Sequence, residues 1–324
     1  MWPMRSVSKY RQLKRKYSEI LSGFEVYLQK QRYEENTIRQ FINYLAFFWE
    51  WKTRQKLYLI EYSDLLSFIA FCQREGDHPR LINRRLSAIR KYYSYLQSTD
   101  KTIKNPATGL YLKSKRHGIP KDILEKEDLN KLYENYQVYD LRTARNKVIL
   151  SFLINQALTT DELRRLEPAH IKLKAGKIEI PGSKHSNGRI LKLEPHQIIE
   201  LHEYLSETRP DILKAIGENM YWPGRKAEKP DMKKLESQLF TSMNGGTNLK
   251  NSLHHLCSAL KLINPVVKDL KQIRQSVITF WLKNEDVRAV QYKAGHRYVS
   301  TTERYQATNL EDLQEALNQH HPLQ

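Results

Sequence analysis

The sequence predicts a mainly α-helical protein of two domains, with one small β-sheet in the second. Three observations carry this. Apolar residues recur at helical spacing through the first hundred positions, most clearly over 36–51 and 81–96. Asn105-Pro106-Ala107-Thr108-Gly109 then interrupts the pattern, as clusters of Pro and Gly do. Residues 177–180 and 190–193 alternate in polarity around Asn187-Gly188, a hairpin signal inside an otherwise helical second half.

At 324 residues the chain is long enough for two cores, and a 40% hydrophobic content argues against wholesale disorder. Lys and Arg number 54 against 36 Asp and Glu, a net charge of +18 with a pI near 9.6. Such an excess favours a polyanionic partner, because each neutralised phosphate releases condensed counterions. Residues 1–112 hold 20 basic and 10 acidic side chains, leaving 34 and 26 for the rest, so both halves are basic. Charge alone does not separate DNA from RNA or an acidic membrane. Cys72 and Cys257 stand far apart without C-x-x-C spacing, which argues against a zinc module or disulfide scaffold and fits a reducing compartment. The basic N-terminus lacks a signal peptide's apolar stretch, and no run has transmembrane length. A soluble cytoplasmic protein is expected.

In order along the chain, Asn36 reads as the cap of a helix whose apolar face is Ile38, Phe41, Ile42, Leu45 and Phe48. On the helix 81–96, Leu81, Ile82, Leu86, Ile89 and Tyr93 trace a second face. Arg84, Arg85, Arg90 and Lys91 then fall elsewhere, either as a solvated surface or as phosphate contacts; with Arg39 they are the candidate DNA-binding residues. The expected boundaries are a helical domain to residue 112, a basic linker over 113–121 and a mixed α/β domain over 122–324. Helical patterning resumes at 124–136 and 143–156, and everything after Pro195 reads as helix, with loops near Pro223 and Gly245-Gly246.

Residues 269–305 carry the most chemistry. Leu270, Ile273, Val277, Ile278 and Trp281 mark a helix, and Arg274 falls within its apolar stripe. A guanidinium there needs a partner, either an internal carboxylate or a phosphate in a cleft. A further helix stops at Gly295, and His296 follows. Ser300-Thr301-Thr302-Glu303 reads as a capping box, placing Tyr305 in the second turn of a short helix.

Ala294-Gly295-His296, then Ser300-Thr301-Thr302, then Tyr305 nine residues after the histidine, resembles the signature of the tyrosine recombinases, the family of phage integrases and Xer-type proteins. The likeness extends to the integrase-like branch common in Bacteroidetes. Arg274-Gln275-Ser276 sits where the family has its second catalytic arginine, Lys184 matches its β-turn lysine, and 36–51 with 81–96 look like its core-binding domain.

The resemblance implies a core-binding domain and a catalytic domain that clamp duplex DNA, with a mechanism needing neither metal nor cofactor. Tyr305 would attack the scissile phosphate, Arg274 stabilise its non-bridging oxygens, His296 hydrogen-bond to it, and Lys184 protonate the leaving 5′ oxygen. It also implies a homo-tetramer on two DNA sites at the bacterial nucleoid. The tail 309–317 would dock on a neighbour through Leu310, Leu313 and Leu317, or else pack on its own domain.

One position departs sharply. The family's first catalytic arginine lies in Gly-Leu-Arg-x-x-Glu-Leu, and residues 157–163 here read Ala-Leu-Thr-Thr-Asp-Glu-Leu, putting Thr159 in its place. Losing such a donor is worth about 3–4 kcal/mol of transition-state stabilisation. Lys271 and Gln275 also depart, and Lys271, one turn before Arg274, could restore charge. Arg145, Arg164 and Arg165 are further candidates for the missing guanidinium, and the sequence does not choose among them. The rival reading is a recombinase fold that binds DNA without cutting it, as a repressor or architectural factor.

Overall fold

The computed structural model describes residues 12–13, 15–55, 59–100, 104–113, 122–218 and 230–306. Expectations for 114–121, the loop near Pro223 and the tail 309–317 lie outside these. The chain divides into two compact units, Met1–His117 and Gly118–Gln324.

The first unit packs four principal helices: α1 (Ser18–Lys30), α2 (Glu35–Arg54), α3 (Tyr62–Arg74) and α4 (Pro79–Thr99). Phe24, Leu28, Ile42, Leu45, Phe48, Phe68, Leu86 and Ile89 meet in its core. Each such side chain contributes about 1.5–3 kcal/mol by leaving water, so the unit has its own source of stability. Asn36 is not the cap of α2. Glu34 holds the extended N-cap backbone and Asn36 lies inside the first turn. The segment after α4 folds back on it rather than simply leaving: Arg90 donates to the carbonyls of Ala107 and Leu110 at 3.1 and 2.8 Å. Asn83 exchanges two hydrogen bonds with the backbone of Leu112.

The second unit is built around α6 (Leu141–Asn155), whose Ile149, Leu150 and Phe152 are wholly buried. Asp140 caps it with a 2.7 Å bond from the Thr143 amide. Around it lie α5 (Lys126–Glu134), α7 (Thr160–Arg165), α8 (Pro195–Glu203), α9 (Arg209–Gly217), α10 (Met232–Ser237), α11 (Lys250–Ile263), α12 (Leu270–Asn284) and α13 (Val287–Ala294). A π-helical stretch, Tyr204–Thr208, joins α8 to α9, and the Tyr204 hydroxyl donates to Leu239 O at 2.9 Å. Residues 299–306 form α14, the final helix among the described residues.

The sheet has three strands where the hairpin signal indicates two. β1 (Ile171–Lys172), β2 (Lys177–Ile180) and β3 (Arg189–Lys192) pair antiparallel in that order, with Ile178 opposite Leu191 and Ile180 opposite Arg189. β1 is too short to show a period of its own. The Asn187-Gly188 pair does not form a tight two-residue turn. An eight-residue loop, 181–188, turns at Ser183, whose amide donates to Ser186 O at 2.8 Å.

Candidate active site

Five segments of the second unit converge: the start of α7, the 181–188 loop with β3, the middle of α12, the end of α13, and α14. Thr159 caps α7 in the reciprocal pattern its sequence indicates. Its hydroxyl accepts from the Glu162 amide at 3.1 Å, and Glu162 Oε2 accepts from the Thr159 amide at 2.8 Å. Glu162 is also completely buried, which a cap alone does not require.

Its partner is Arg189, from the first position of β3. Nη1 lies 2.6 Å from Oε1 and Nη2 3.3 Å from Oε2, with both side chains within 1% of full burial. Burial alone would raise the Glu162 carboxyl, but hydrogen bonding and the Arg189 charge outweigh it and hold the group at about 2. Arg189 Nε donates to Lys293 O at 2.7 Å, tying β3 to the end of α13.

Asp269 caps α12 through the Gln272 amide at 2.8 Å, and the helix presents Arg274 in its second turn. The Arg274 guanidinium donates to Ala157 O and, at 2.7 Å, to Ala294 O, and comes within 3.9 Å of Glu162. The internal ion pair considered for it is thus a long one, and its short bonds are to carbonyls. Its side chain keeps 12% exposure, unlike Arg189. Burial lowers its proton affinity, the Glu162 charge opposing.

Gly295 closes α13 at φ 67°, the left-handed conformation that glycine adopts without cost. His296 follows, nearly buried, with Nδ1 2.9 Å from Thr302 Oγ1. Burial first, then the charges of Arg274, Arg189 and Arg304, depress its pKa to about 4, so the ring is neutral at ordinary pH. Thr302 is buried inside α14 and engaged with the histidine. The helix begins at residue 299, so Ser300 lies inside its first turn rather than at the N-cap of the expected capping box with Glu303. Tyr305 stacks on the imidazole, with ring centroids 5.9 Å apart and planes at 13°. Burial raises its hydroxyl pKa, while Arg274, Arg304 and a bond from Gln275 pull the other way.

The loop carrying Lys184 docks against the same turn. Asn187 donates its amide to Gly295 O at 3.0 Å and its side chain to His296 O at 3.3 Å. Arg297 donates to Lys184 O at 2.6 Å, and Lys184 itself is exposed. Lys271 is exposed at the start of α12, one turn before Arg274.

None of the three arginines considered for the missing guanidinium reaches Glu162. Arg145 is wholly buried and spent on Thr241 O and Asn146 Oδ1. Arg164 pairs with Asp161 at the surface. Arg165 binds Asp161 and the carbonyls of Pro181 and Gly182, anchoring the loop. Arg189 is the residue that sequence reading missed. The signal for it was alternation: Arg189, Leu191 and Leu193 face inward while Ile190 and Lys192 face out.

In the first unit, two of the candidate DNA contacts are internal. Arg85 lies on the buried face with Ile82, Ile89 and Tyr92, paired with Asp77, 3.1 Å from Cys72 Sγ and 3.8 Å over the Phe47 ring. It cannot reach a phosphate while so placed. Arg90 is committed to Ala107 and Leu110, as described above. Arg84 and Arg39 are exposed, the latter paired with Glu35 at 2.7 Å, and Lys91 sits over Tyr27 and Tyr33.

His296, Arg274 and Tyr305 thus converge on one side of a helical scaffold, drawn from three separate elements of the second unit. Comparison with known proteins gives the family. Residues 122–311 match the profile of the phage integrase family, and 21–99 match the phage integrase N-terminal SAM-like domain. The chain belongs to the phage integrase family of tyrosine recombinases. It is 25% identical over 266 residues to tyrosine recombinase XerD of Listeria monocytogenes, covering 81% of this chain and 83% of that protein. It is 24% identical over 303 residues to tyrosine recombinase XerA of Pyrococcus horikoshii, covering 93% of each. The fold matches XerH recombinase solved in a post-cleavage complex with its difH substrate, at TM-score 0.63 and 19% identity over 86% of this chain and 78% of that one. It also matches a lambda integrase dimer bound to a core site, at TM-score 0.56 and 11% identity over 88% and 93%.

Proposed function

We propose that this chain is a site-specific DNA recombinase that cuts and rejoins duplex DNA through a 3′-phosphotyrosyl intermediate. The observation that carries it is Tyr305 stacked on a neutral His296 beside Arg274, with the loop that bears the exposed Lys184 docked on the same turn. The Tyr305 oxygen attacks phosphorus and the bond to the 5′ oxygen breaks. The phosphate becomes esterified to tyrosine, and the 5′ oxygen leaves as a hydroxyl with a proton from Lys184. A second 5′ hydroxyl reverses the step on the same phosphate, so no bond energy is lost to water. Arg274 stabilises the charge on the non-bridging oxygens, and His296, held at Nδ1 by Thr302, offers Nε2 to the same group. Lys271 adds positive charge near Arg274. Burial favours the protonated Tyr305 hydroxyl, and its proton passes to solvent as the bond to phosphorus forms.

The relatives are recombinases by name, which favours cleavage over the non-cleaving reading. A nicked duplex that traps the adduct tests it. Wild-type protein should become covalently attached to its own selected binding site, while Tyr305→Phe should bind that duplex within about threefold of wild type and form no adduct. Absence of adduct from wild type on such a duplex would leave only DNA binding.

On the same reading the working assembly is a homo-tetramer on two sites in the bacterial nucleoid, joined through the tail 309–324. Removing that tail should weaken pairing of two sites more than binding to one. Equal loss in a gel-shift titration would return the tail to its own domain.

A further inference from the structure

We infer that Arg189 is a positioning residue that replaces the absent arginine at position 159 as the counterion of Glu162. This rests on the reading that the chain cleaves DNA. Glu162 is a buried carboxylate within 3.9 Å of Arg274. From position 159 it receives only neutral donors, the Thr159 amide at 2.8 Å and hydroxyl at 2.9 Å. Left with those alone, Glu162 would draw the Arg274 guanidinium into a closed ion pair and cancel the charge a phosphate needs. Arg189 prevents this by gripping both carboxylate oxygens, at 2.6 and 3.3 Å. A planar fork suits two oxygens in a way an ammonium does not.

The same guanidinium organises the segments that bear the other groups. Nε holds Lys293 O, two residues before the turn into His296. Nη1 fills the space where a side chain at position 295 would begin. Through β3 it also anchors the strand that follows the Lys184 loop. Arg189 itself does not touch phosphate, since its side chain is fully buried and Nε, Nη1 and Nη2 all have protein partners.

The test measures adduct formation in single turnover on a nicked duplex carrying the selected site, alongside duplex affinity. Arg189→Gln should bind DNA within about threefold of wild type and form adduct at least a hundredfold more slowly. Adding Thr159→Arg to that variant should recover at least tenfold, because Glu162 regains a guanidinium from the helix start. A residue that only filled space would show no such rescue. If Arg189→Gln does not fold, Arg189→Lys takes its place, keeping a charge against Glu162 without the fork, and the same tenfold gain from Thr159→Arg is expected. Cleavage by Arg189→Gln within threefold of wild type, or no gain from Thr159→Arg in either background, overturns the inference. A wild type that forms no adduct would instead overturn the recombinase reading, so the two failures are distinct.

Discussion

At the residue scale, His296 offers a direct reading of how burial and charge set up the site. Its pKa falls from 6.5 to about 4, mainly through burial and then through Arg274 and Arg189. The unfolded chain takes up this proton first. Stability from the neutral ring is therefore complete above pH 6.5, declines as pH falls, and is exhausted below about 4. The amount is on the order of 3 kcal/mol. Glu200 has the opposite sign: burial, then Glu203, raise it to about 7, so it adds stability as pH falls from 7 toward 4.5. The two slopes overlap and mask each other in wild type alone. The useful quantity is the stability difference between wild type and His296→Gln, measured by urea unfolding from pH 7 to 4. That difference should shift against wild type by on the order of 3 kcal/mol as pH falls. A difference that stays constant would mean His296 titrates as an exposed histidine.

At the element scale, two glycine-bearing turns, one at the site and one in the first unit, differ in what surrounds them. Gly295 and Gly109 both adopt positive φ, 67° and 70°. An alanine pays the left-handed strain of about 1–2 kcal/mol at either position. Only at Gly295 does the added carbon also meet a buried guanidinium, whereas nothing lies within 4 Å of the same atom at Gly109. Gly295→Ala should therefore lower the melting temperature clearly more than Gly109→Ala and slow adduct formation, with Gly109→Ala affecting neither chemistry nor local packing at the site. Equal shifts in a calorimetric scan would show that Arg189 moves aside easily.

The elements were legible where one period dominated. The α12 stripe Leu270, Ile273, Val277 and Trp281, with Asp269 before it and Gly295 ending α13, placed Arg274, His296 and Tyr305 correctly in one region. Legibility failed where a charged residue sat on an inward face. Arg85 belongs to the Ile82–Ile89–Tyr92 stripe by spacing, yet its charge assigned it to solvent. Arg189 begins a strand, and only the tertiary pairing with Glu162, 27 residues earlier, makes its burial tolerable. Glu162 in turn looked complete as a capping residue, because local sequence carries no sign that a cap is also a buried anion.

At the scale of the whole molecule, the two units have separate cores. Phe24, Phe48 and Phe68 anchor one, Phe152, Tyr204 and Phe240 the other. Each has a buried apolar core of its own, so each is expected to fold as an independent fragment. Each also carries an excess of basic side chains, and a boundary after His117 leaves Lys113, Lys115 and Arg116 with the first. Phosphate contacts are point-like and sequence-independent, so neither fragment needs the other to make its own. Fragments 1–117 and 118–324 should therefore each bind duplex DNA weakly, with affinity falling as salt rises. The slope of log affinity against log salt should be steeper for the intact chain than for either fragment, since it counts the phosphates neutralised together. Fluorescence anisotropy on one labelled duplex measures all three slopes. If one fragment matches the intact slope and the other shows no binding, DNA contact belongs to a single unit, and Arg84, Arg39 and Lys91 or else the Lys184 loop drop out of the interface accordingly.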